Sequence, residues 1–227
     1  GRSPTTNTST APATCTTSSV GSEVVATVTT NKIGAYSVTV DDNDGAGEAG
    51  RDIFIRAYAR NPAADVKLQS TQETQFIDST TFFDVIDGTD LPISLTANNV
   101  DDNNTAFSVA DGIYGISPYV EYLSGKLLPQ INVNFPGDGS YFDGISVTLT
   151  QLDRFDYDVA DHEYGHYVQA YFGISSNPGG VHYINGNMSE FLGKDIGTRL
   201  TWGEGWPTYF GTVGQQVTGQ AALNMPN

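Results

Sequence analysis

The stretch HEYGHYVQAYFG, residues 162–173, says most about how this chain folds. Its pattern predicts a helix over about residues 158–172 that stops at Gly173, because glycine readily ends a helix. His162 and His166 are four positions apart, so a helix displaces them by only about 40° around its axis. Both imidazoles then face the same way, at a spacing that suits two ligands of one metal ion.

The residues around the two histidines support a metal site. Glu163 follows the first ligand and is predicted to lie beside the ion, where it can take a proton from a bound water molecule as a general base. Tyr164, Val168 and Tyr171 form an apolar stripe on the opposite side, and burying it leaves both imidazoles facing a cleft. The His-Glu-x-x-His pattern arises by chance in roughly one chain in a thousand of this composition. The alternative is a solvated helix face with an incidental glutamate.

Composition restricts the donors and partners of such a site. The 227 residues include three His and one Cys, Cys15, so a transition-metal site must be built from His and carboxylates. A net charge of -16 argues against nucleic-acid partners and anionic membranes. No apolar run approaches the roughly 18 residues of a membrane span. Few Lys and many Thr, Ser and Asn favour an extracellular protein, secreted or at the cell surface.

A catalytic zinc site needs a third protein ligand and an open position for water. No other histidine follows within a few residues, so a downstream carboxylate is the remaining candidate. The stretch WGEGWPTYFG, residues 202–211, presents Glu204 at the start of a predicted second helix. A carboxylate favoured there by the helix dipole alone is the alternative interpretation, with Glu190 or Asp195 as the ligand.

The N-terminal part of the chain has a different pattern. Residues 1–20 are mostly Thr, Ser, Ala, Pro and Asn, which predicts a tail or linker. Within 21–105, apolar and polar residues alternate at 24–28, 36–40 and 53–59, as in short strands. We therefore expect an accessory domain at 21–105 that is an antiparallel β-sandwich with a core of its own.

The pattern changes to helical spacing after residue 105. One apolar face is predicted for a helix that Pro118 makes kinked or short; the residues on this face are Val109, Ile113, Ile116, Val120 and Leu123. Candidate strands at 130–135 and 145–149 precede the metal-site helix. The predicted class is α+β, with a mixed α/β subdomain at 106–227.

Two resemblances extend these expectations. HEYGHYVQAYFG, NPGGVH and TWGEGWPTYFG together resemble the gluzincin zinc metallopeptidases over about residues 113–211. TTNKIGAYSVTV, within about 70 residues, resembles transthyretin-like or carboxypeptidase-regulatory β-domains, which implies an accessory or adhesive module.

The gluzincin resemblance implies a zincin-like domain in which His162, His166 and Glu204 bind zinc and Glu163 is the general base. It implies that the strand at 145–149 or 131–135 binds an extended peptide by strand addition. Gluzincins continue into a further helical subdomain, so we expect the domain to be incomplete at its C-terminal end. The residue that stabilises the oxyanion stays open; the candidates are His182, Tyr183 and Tyr209.

The functional prediction is a secreted metallopeptidase that hydrolyses peptide bonds through zinc-activated water, with no cofactor other than zinc. The alternative is an extracellular adhesion or filament subunit that retains an inactive or incomplete peptidase module and self-associates through the β-domain or the N-terminal tail. A zinc hydrolase acting on a non-peptide amide is the third hypothesis, because no specificity pocket is defined by the sequence.

Overall fold

The fold is mixed α/β, with three helices and two sheets in the part of the chain that the structure describes. The structure is a computed structural model, and it describes residues 14–18, 23–31, 33–41, 50–180, 182 and 192–220. The predicted combination of an N-terminal antiparallel sheet with a later mixed α/β region is confirmed at this level.

The first sheet contains five antiparallel strands. They are β1 (Thr14–Ser18), β2 (Val24–Thr29), β3 (Arg51–Tyr58), β5 (Phe76–Asp78) and β6 (Phe82–Val85). Their order is β2-β1-β3-β5, and β6 also pairs with β3. The predicted alternation in β3 is confirmed, because Ile53, Ile55 and Ala57 are all buried.

The prediction of a tail at residues 1–20 is wrong for β1. This strand pairs with both β2 and β3, so it lies inside the sheet and not beside it. Its sequence TCTTS contains three threonines, whose β-branched side chains favour an extended backbone. A polar composition therefore concealed a strand; the other residues of the predicted tail lie outside the described ones.

The described residues do not form a closed sandwich. The segment predicted as a strand at 36–40 is extended but belongs to no strand ladder in this part of the chain. Tyr36, Val38 and Val40 are half-buried and alternate with exposed neighbours, and Tyr36 Oη donates to the main-chain oxygen of Ile93 at 2.7 Å. The alternation correctly reported which side is covered, but it carries no information about a hydrogen-bonded neighbour.

The second sheet lies next to the helices. Its strands are β4 (Ala64–Lys67), β7 (Ile131–Asn134), β8 (Tyr141–Phe142) and β9 (Val147–Thr148). The order is β4-β7-β9-β8, in which the first three strands are parallel and β8 is antiparallel at the edge. The candidate strands at 130–135 and 145–149 are confirmed as β7 and β9.

The two predicted domains share one core in this structure. Strand β4 falls within the predicted accessory domain at 21–105, yet it pairs with β7. One hydrophobic cluster also contains Ile55 and Ala57 of the first sheet together with residues of the second sheet and of the helices. The predicted boundary after residue 105 therefore runs through a core, because each residue of β4 pairs with one 67 positions further along, as Ala64 does with Ile131, and such a partner leaves no local signal.

Helix α1 (Asp102–Ser124) is longer than the predicted kinked or short helix. Pro118 cannot donate to the oxygen of Tyr114, but Ser117 Oγ donates to that oxygen at 3.0 Å and so replaces the missing bond. Four predicted apolar positions are buried, whereas Leu123 is 61% exposed because it lies in the last turn. The other two helices of the described residues are α2 (Tyr157–Phe172) and α3 (Lys194–Thr218).

Candidate metal centre

Helix α2 presents His162 and His166 on one face, as the spacing predicts. The carboxylate of Asp156 caps the helix by accepting from two N–H groups of its first turn, and Gly173 ends it with φ of 63°. The two imidazoles are partly covered, with 22% and 13% of their side-chain surface exposed. The helix predicted at 158–172 is thus confirmed to within a residue.

The apolar stripe of α2 is shorter than predicted. Tyr164 and Val168 are buried in the core, which fixes the rotation of the helix. Tyr171 is 44% exposed instead, because it lies in the last turn of the helix. Its ring packs edge-on against that of Phe172, with 5.1 Å between the ring centroids. Two buried residues are sufficient to direct both histidines toward the cleft.

Glu204 lies in the interior of α3, not at the start of a helix. The helix begins at Lys194, so the interpretation of Glu204 as a helix-start carboxylate is wrong. Pro207 also lies inside the helix, and it removes the N–H that would bind the oxygen of Gly203. Tertiary packing must therefore hold this turn of α3.

Glycines allow α2 and α3 to approach closely at that turn. A Cβ atom added to Gly165 would lie 2.9 Å from both Cα and Cβ of Pro207, closer than carbon atoms pack. A Cβ atom on Gly211 would lie 3.3 Å from Cβ of Asp161. The Gly165 position inside the His-Glu-x-x-His motif thus brings α3 near enough for Glu204 to reach the histidines.

Three donor atoms meet in the cleft between α2 and α3. The Nε2 atoms of His162 and His166 are 3.1 Å apart, and Oε2 of Glu204 lies 3.3 Å from each of them. Within the described ranges, this is the one group of three or more His, Cys, Asp or Glu side chains whose donor atoms lie within 4.8 Å of one another. The group can hold a metal ion.

Thr208 determines which nitrogen of His162 faces the cleft. Its Oγ1 donates to the main-chain oxygen of Glu204 at 3.0 Å and lies 3.0 Å from Nδ1 of His162. A hydroxyl has one proton, so Thr208 accepts from the ring and Nδ1 carries the ring proton. The lone pair of Nε2 is then directed at the other two donors, as metal ligation requires.

The electrostatics of the cluster favour a charged carboxylate. Burial raises the pKa of Glu204, but the two imidazoles and the amide of Asn177, which donates to Oε1 at 2.8 Å, outweigh burial and hold the pKa well below its usual range. Burial lowers the pKa of His166, but Glu204, Glu163 and a hydrogen bond with Gln169 raise it above its ordinary value. Glu204 therefore supplies an ionised carboxylate to the cluster, which suits a cation.

Glu163 lies beside the cluster and not in it. Its side chain is buried, and the main-chain N–H of Phe142 in β8 donates to its carboxylate. Burial raises the pKa of Glu163 above its ordinary value, although the imidazoles of His162 and His166 oppose the rise and Glu204 adds to it. A carboxylate of raised pKa next to a metal site is suited to accept a proton and return it.

The third histidine of the chain also lies near Glu204. His182 Nε2 is 3.7 Å from Oε2 of Glu204, which is too long for a hydrogen bond, and its Nδ1 lies 3.0 Å from the oxygen of Gly180. All three histidines of the chain thus surround one carboxylate oxygen. Of the other oxyanion candidates, Tyr209 is 64% exposed on α3, and Tyr183 lies outside the described residues.

The alternative ligands are not brought to the cluster. Asp195 is on α3, but its side chain is 86% exposed and lies 3.8 Å from Arg199. Arg199 in turn donates to the main-chain oxygen of Ser176 at 2.8 Å, so the role of Arg199 at this position is structural. Glu190 lies outside the described residues.

The strands predicted to bind peptide occupy the wrong place for strand addition. Strands β7 and β9 each have a neighbour on both sides, so their backbone groups are already paired. The terminal strands of the sheet are β4 and β8, and the Phe142 N–H of β8 donates to Glu163. Within the described residues, β8 is therefore the terminal strand that lies next to the candidate site.

Comparisons of the chain with protein-family models, with curated proteins and with solved structures found no match. In the described part of the chain, no helix combines the length and the apolar character that crossing a membrane requires. The site must therefore be judged on its own geometry.

Three partners of the site could not be assigned from the sequence. Thr208 stands four residues after Glu204, a spacing that places both on one helix face and is the one available signal. Asn177 and the N–H of Phe142 reach the site only through the tertiary fold. Outer partners of metal ligands lie far apart in sequence, whereas the ligands themselves follow a spacing rule.

Proposed function

We propose that the chain is a zinc-dependent metallopeptidase in which His162, His166 and Glu204 bind the metal. The observation that carries the proposal is the near-equilateral triangle of donor atoms, with sides of 3.1, 3.3 and 3.3 Å. Tetrahedral zinc with bonds of about 2.0–2.1 Å requires ligand atoms about 3.3–3.4 Å apart. The triangle matches the ligand spacing on one face of such a tetrahedron.

The donor chemistry also supports a metal at this position. The lone pairs of His162 Nε2 and of the ionised Glu204 face each other at 3.3 Å, whereas a charge-assisted hydrogen bond is about 2.7–2.9 Å long. Two imidazoles with one carboxylate match a common ligand set of catalytic zinc. When bound, zinc would supply a Lewis acid and make a water molecule acidic enough to attack at neutral pH.

Glu163 supplies the proton transfers of this proposal. It accepts the proton of the attacking water and returns it to the departing amine, so that the peptide C–N bond breaks as the new C–O bond forms. Its raised pKa supports both steps, since a carboxylate of raised pKa accepts a proton more readily than an ordinary one and can still return it. The hydrogen bond from the N–H of Phe142 fixes the orientation of the Glu163 carboxylate.

The edge strand β8 supports an extended peptide as substrate. A peptide that extends along β8 would lie beside Glu163, because β8 carries the Phe142 N–H that donates to this carboxylate. Three parallel strands, an antiparallel edge strand and two ligand-bearing helices are in keeping with a zincin-like domain of gluzincin type. We further propose that the protein is extracellular. Its acidic composition and its single cysteine are compatible with that location.

The test is hydrolysis of a mixed library of unstructured peptides, followed by mass spectrometry. We expect turnover that a zinc chelator abolishes and that added zinc restores. The Glu163→Gln variant, prepared in parallel, controls for a contaminating peptidase. A protein that binds one zinc ion but leaves every peptide intact would instead favour a structural module that retains an inactive site.

A further inference from the structure

The segment that follows α2 is hydrogen-bonded to α3 next to Glu204. In this clamp segment, residues 174–180, the main-chain oxygen of Ile174 accepts from Trp202 Nε1 at 3.1 Å. The main-chain oxygen of Ser176 accepts from Arg199 at 2.8 Å. Two side chains of α3 therefore hold the clamp segment at two points, one on each side of Ser175.

Asn177 of the clamp segment reaches the far oxygen of Glu204. Its Nδ2 donates to Oε1 of Glu204 at 2.8 Å, and its Oδ1 accepts from the N–H of Gly179 at 2.9 Å. Because the oxygen end is engaged by an N–H, the amide has one orientation, with its donor toward the carboxylate. Both oxygens of Glu204 are thus distinguished: Oε1 meets an amide and Oε2 meets two imidazoles.

Gly203 makes room for this contact. A Cβ atom at Gly203 would lie 2.5 Å from both Cγ and Nδ2 of Asn177. Gly205, two positions further along the same helix, has open space where a Cβ atom would stand. The need for glycine at position 203 therefore arises from Asn177 and not from the helix itself.

From this geometry we infer that Asn177 is a positioning residue, which holds Oε1 of Glu204 so that the carboxylate meets the metal through Oε2 alone. The inference rests on the proposed metal site and adds to it how many oxygens the third ligand presents. A carboxylate without such a partner can rotate and present both oxygens to an ion. One oxygen leaves the fourth position of the site open for water, as a catalytic site requires.

The experiment compares metal binding by the wild type, Asn177→Ala and Ser176→Ala. Zinc affinity is measured by competition with a chromophoric chelator, and the coordination is followed by the visible absorption of cobalt(II) at the same site. Ser176→Ala is the matched control, since it removes a polar side chain of the same segment while the main-chain bond to Arg199 remains. All proteins are checked for folding by circular dichroism.

We expect Asn177→Ala to bind zinc about 10–100-fold more weakly, the usual loss when an outer partner of a ligand is removed. Its cobalt spectrum should weaken, because four-coordinate cobalt absorbs more strongly than cobalt with an additional oxygen ligand. Ser176→Ala should match the wild type in both measurements. Unchanged affinity in Asn177→Ala overturns the inference, and so does a loss of affinity with an unchanged cobalt spectrum.

A second pair of variants keeps the test decisive if Asn177→Ala does not fold. Gly203→Ala displaces Asn177 without altering it and should weaken zinc binding and change the cobalt spectrum in the same direction. Gly205→Ala should change neither. A wild type that binds neither metal overturns the proposed function itself, whereas wild-type binding with no difference between the two alanine variants overturns only the role of Asn177.

Discussion

The two helices that carry the metal donors are specified in different ways. Helix α2 has a capping Asp156, a terminal Gly173 and two histidines at helical spacing, all local features. Helix α3 follows Gly193, which supplies no side-chain cap, and it contains Pro207 and offers one donor. The two donors of α2 are thus encoded within one stretch of sequence, residues 156–173, whereas the donor of α3 depends on contacts between distant segments.

The largest effect is expected for Glu163 of α2. Glu163→Gln keeps size and hydrogen bonding but cannot accept a proton, so peptide hydrolysis should fall by a factor of roughly 10²–10⁴ while zinc stays bound. Initial rates and zinc content report this directly. Glu121→Gln, an exposed position of α1, is the control. Loss of zinc from Glu163→Gln would mean that Glu163 is a ligand or a structural support, and not the general base.

The corresponding change in α3 should remove the metal and not the base. Glu204→Ala deletes one of three ligands, so zinc affinity should fall by more than the roughly 10–100-fold expected for an outer partner. Zinc stoichiometry at limiting metal should drop well below one per chain. Asp195→Ala, an exposed carboxylate of the same helix, should keep full stoichiometry. The opposite result would make Asp195, and not Glu204, the third ligand.

A smaller effect is expected where the two helices touch. Gly165→Ala places a methyl group 2.9 Å from Pro207, so overpacking should cost about 1–3 kcal/mol of unfolding free energy. Gly205→Ala gains the same helix propensity without a clash and serves as its control. Denaturant unfolding of both variants isolates the clash. Equal stabilities would mean that α3 is held elsewhere.

The smallest effect, confined to one pH range, is expected at Asp161. Burial raises the pKa of Asp161 well above its ordinary value, even though Gln215 of α3 donates to Oδ2 at 2.8 Å. Above about pH 4, where an unfolded Asp has lost its proton, the native state still holds one, so stability falls as the pH rises through this range. Asp161→Asn cannot ionise yet still accepts from Gln215.

The melting temperature of Asp161→Asn should therefore equal that of the wild type in acid and exceed it increasingly as the pH rises. Thermal melts of both proteins from acid to neutral pH measure the difference. A constant difference at every pH would show that Asp161 is ionised in the fold, in contrast to the burial that the structure gives it.

The sequence predicts α2 better than α3, because the signals for α2 are local and those for α3 are not. The bounds of α2 and the choice of His162 and His166 were accessible because helix signals and metal-ligand spacing act over a few residues. The start of α3 does not follow from the sequence, since proline favours the first turn of a helix and the tolerance of Pro207 in the interior depends on packing against Gly165. Similarly, β4 joins the second sheet through a strand far along the chain.

The placement of donors on two helices has a consequence for the whole chain. An ion held by His166 and Glu204 joins positions 38 residues apart, and it therefore acts as a cross-link that restricts the unfolded chain. Its binding free energy becomes part of the folding free energy of the layer formed by α2 and α3. The first sheet contains no such tie among its described strands, so loss of metal should release the C-terminal helices first, a sequence of events that hydrogen exchange with and without chelator would resolve.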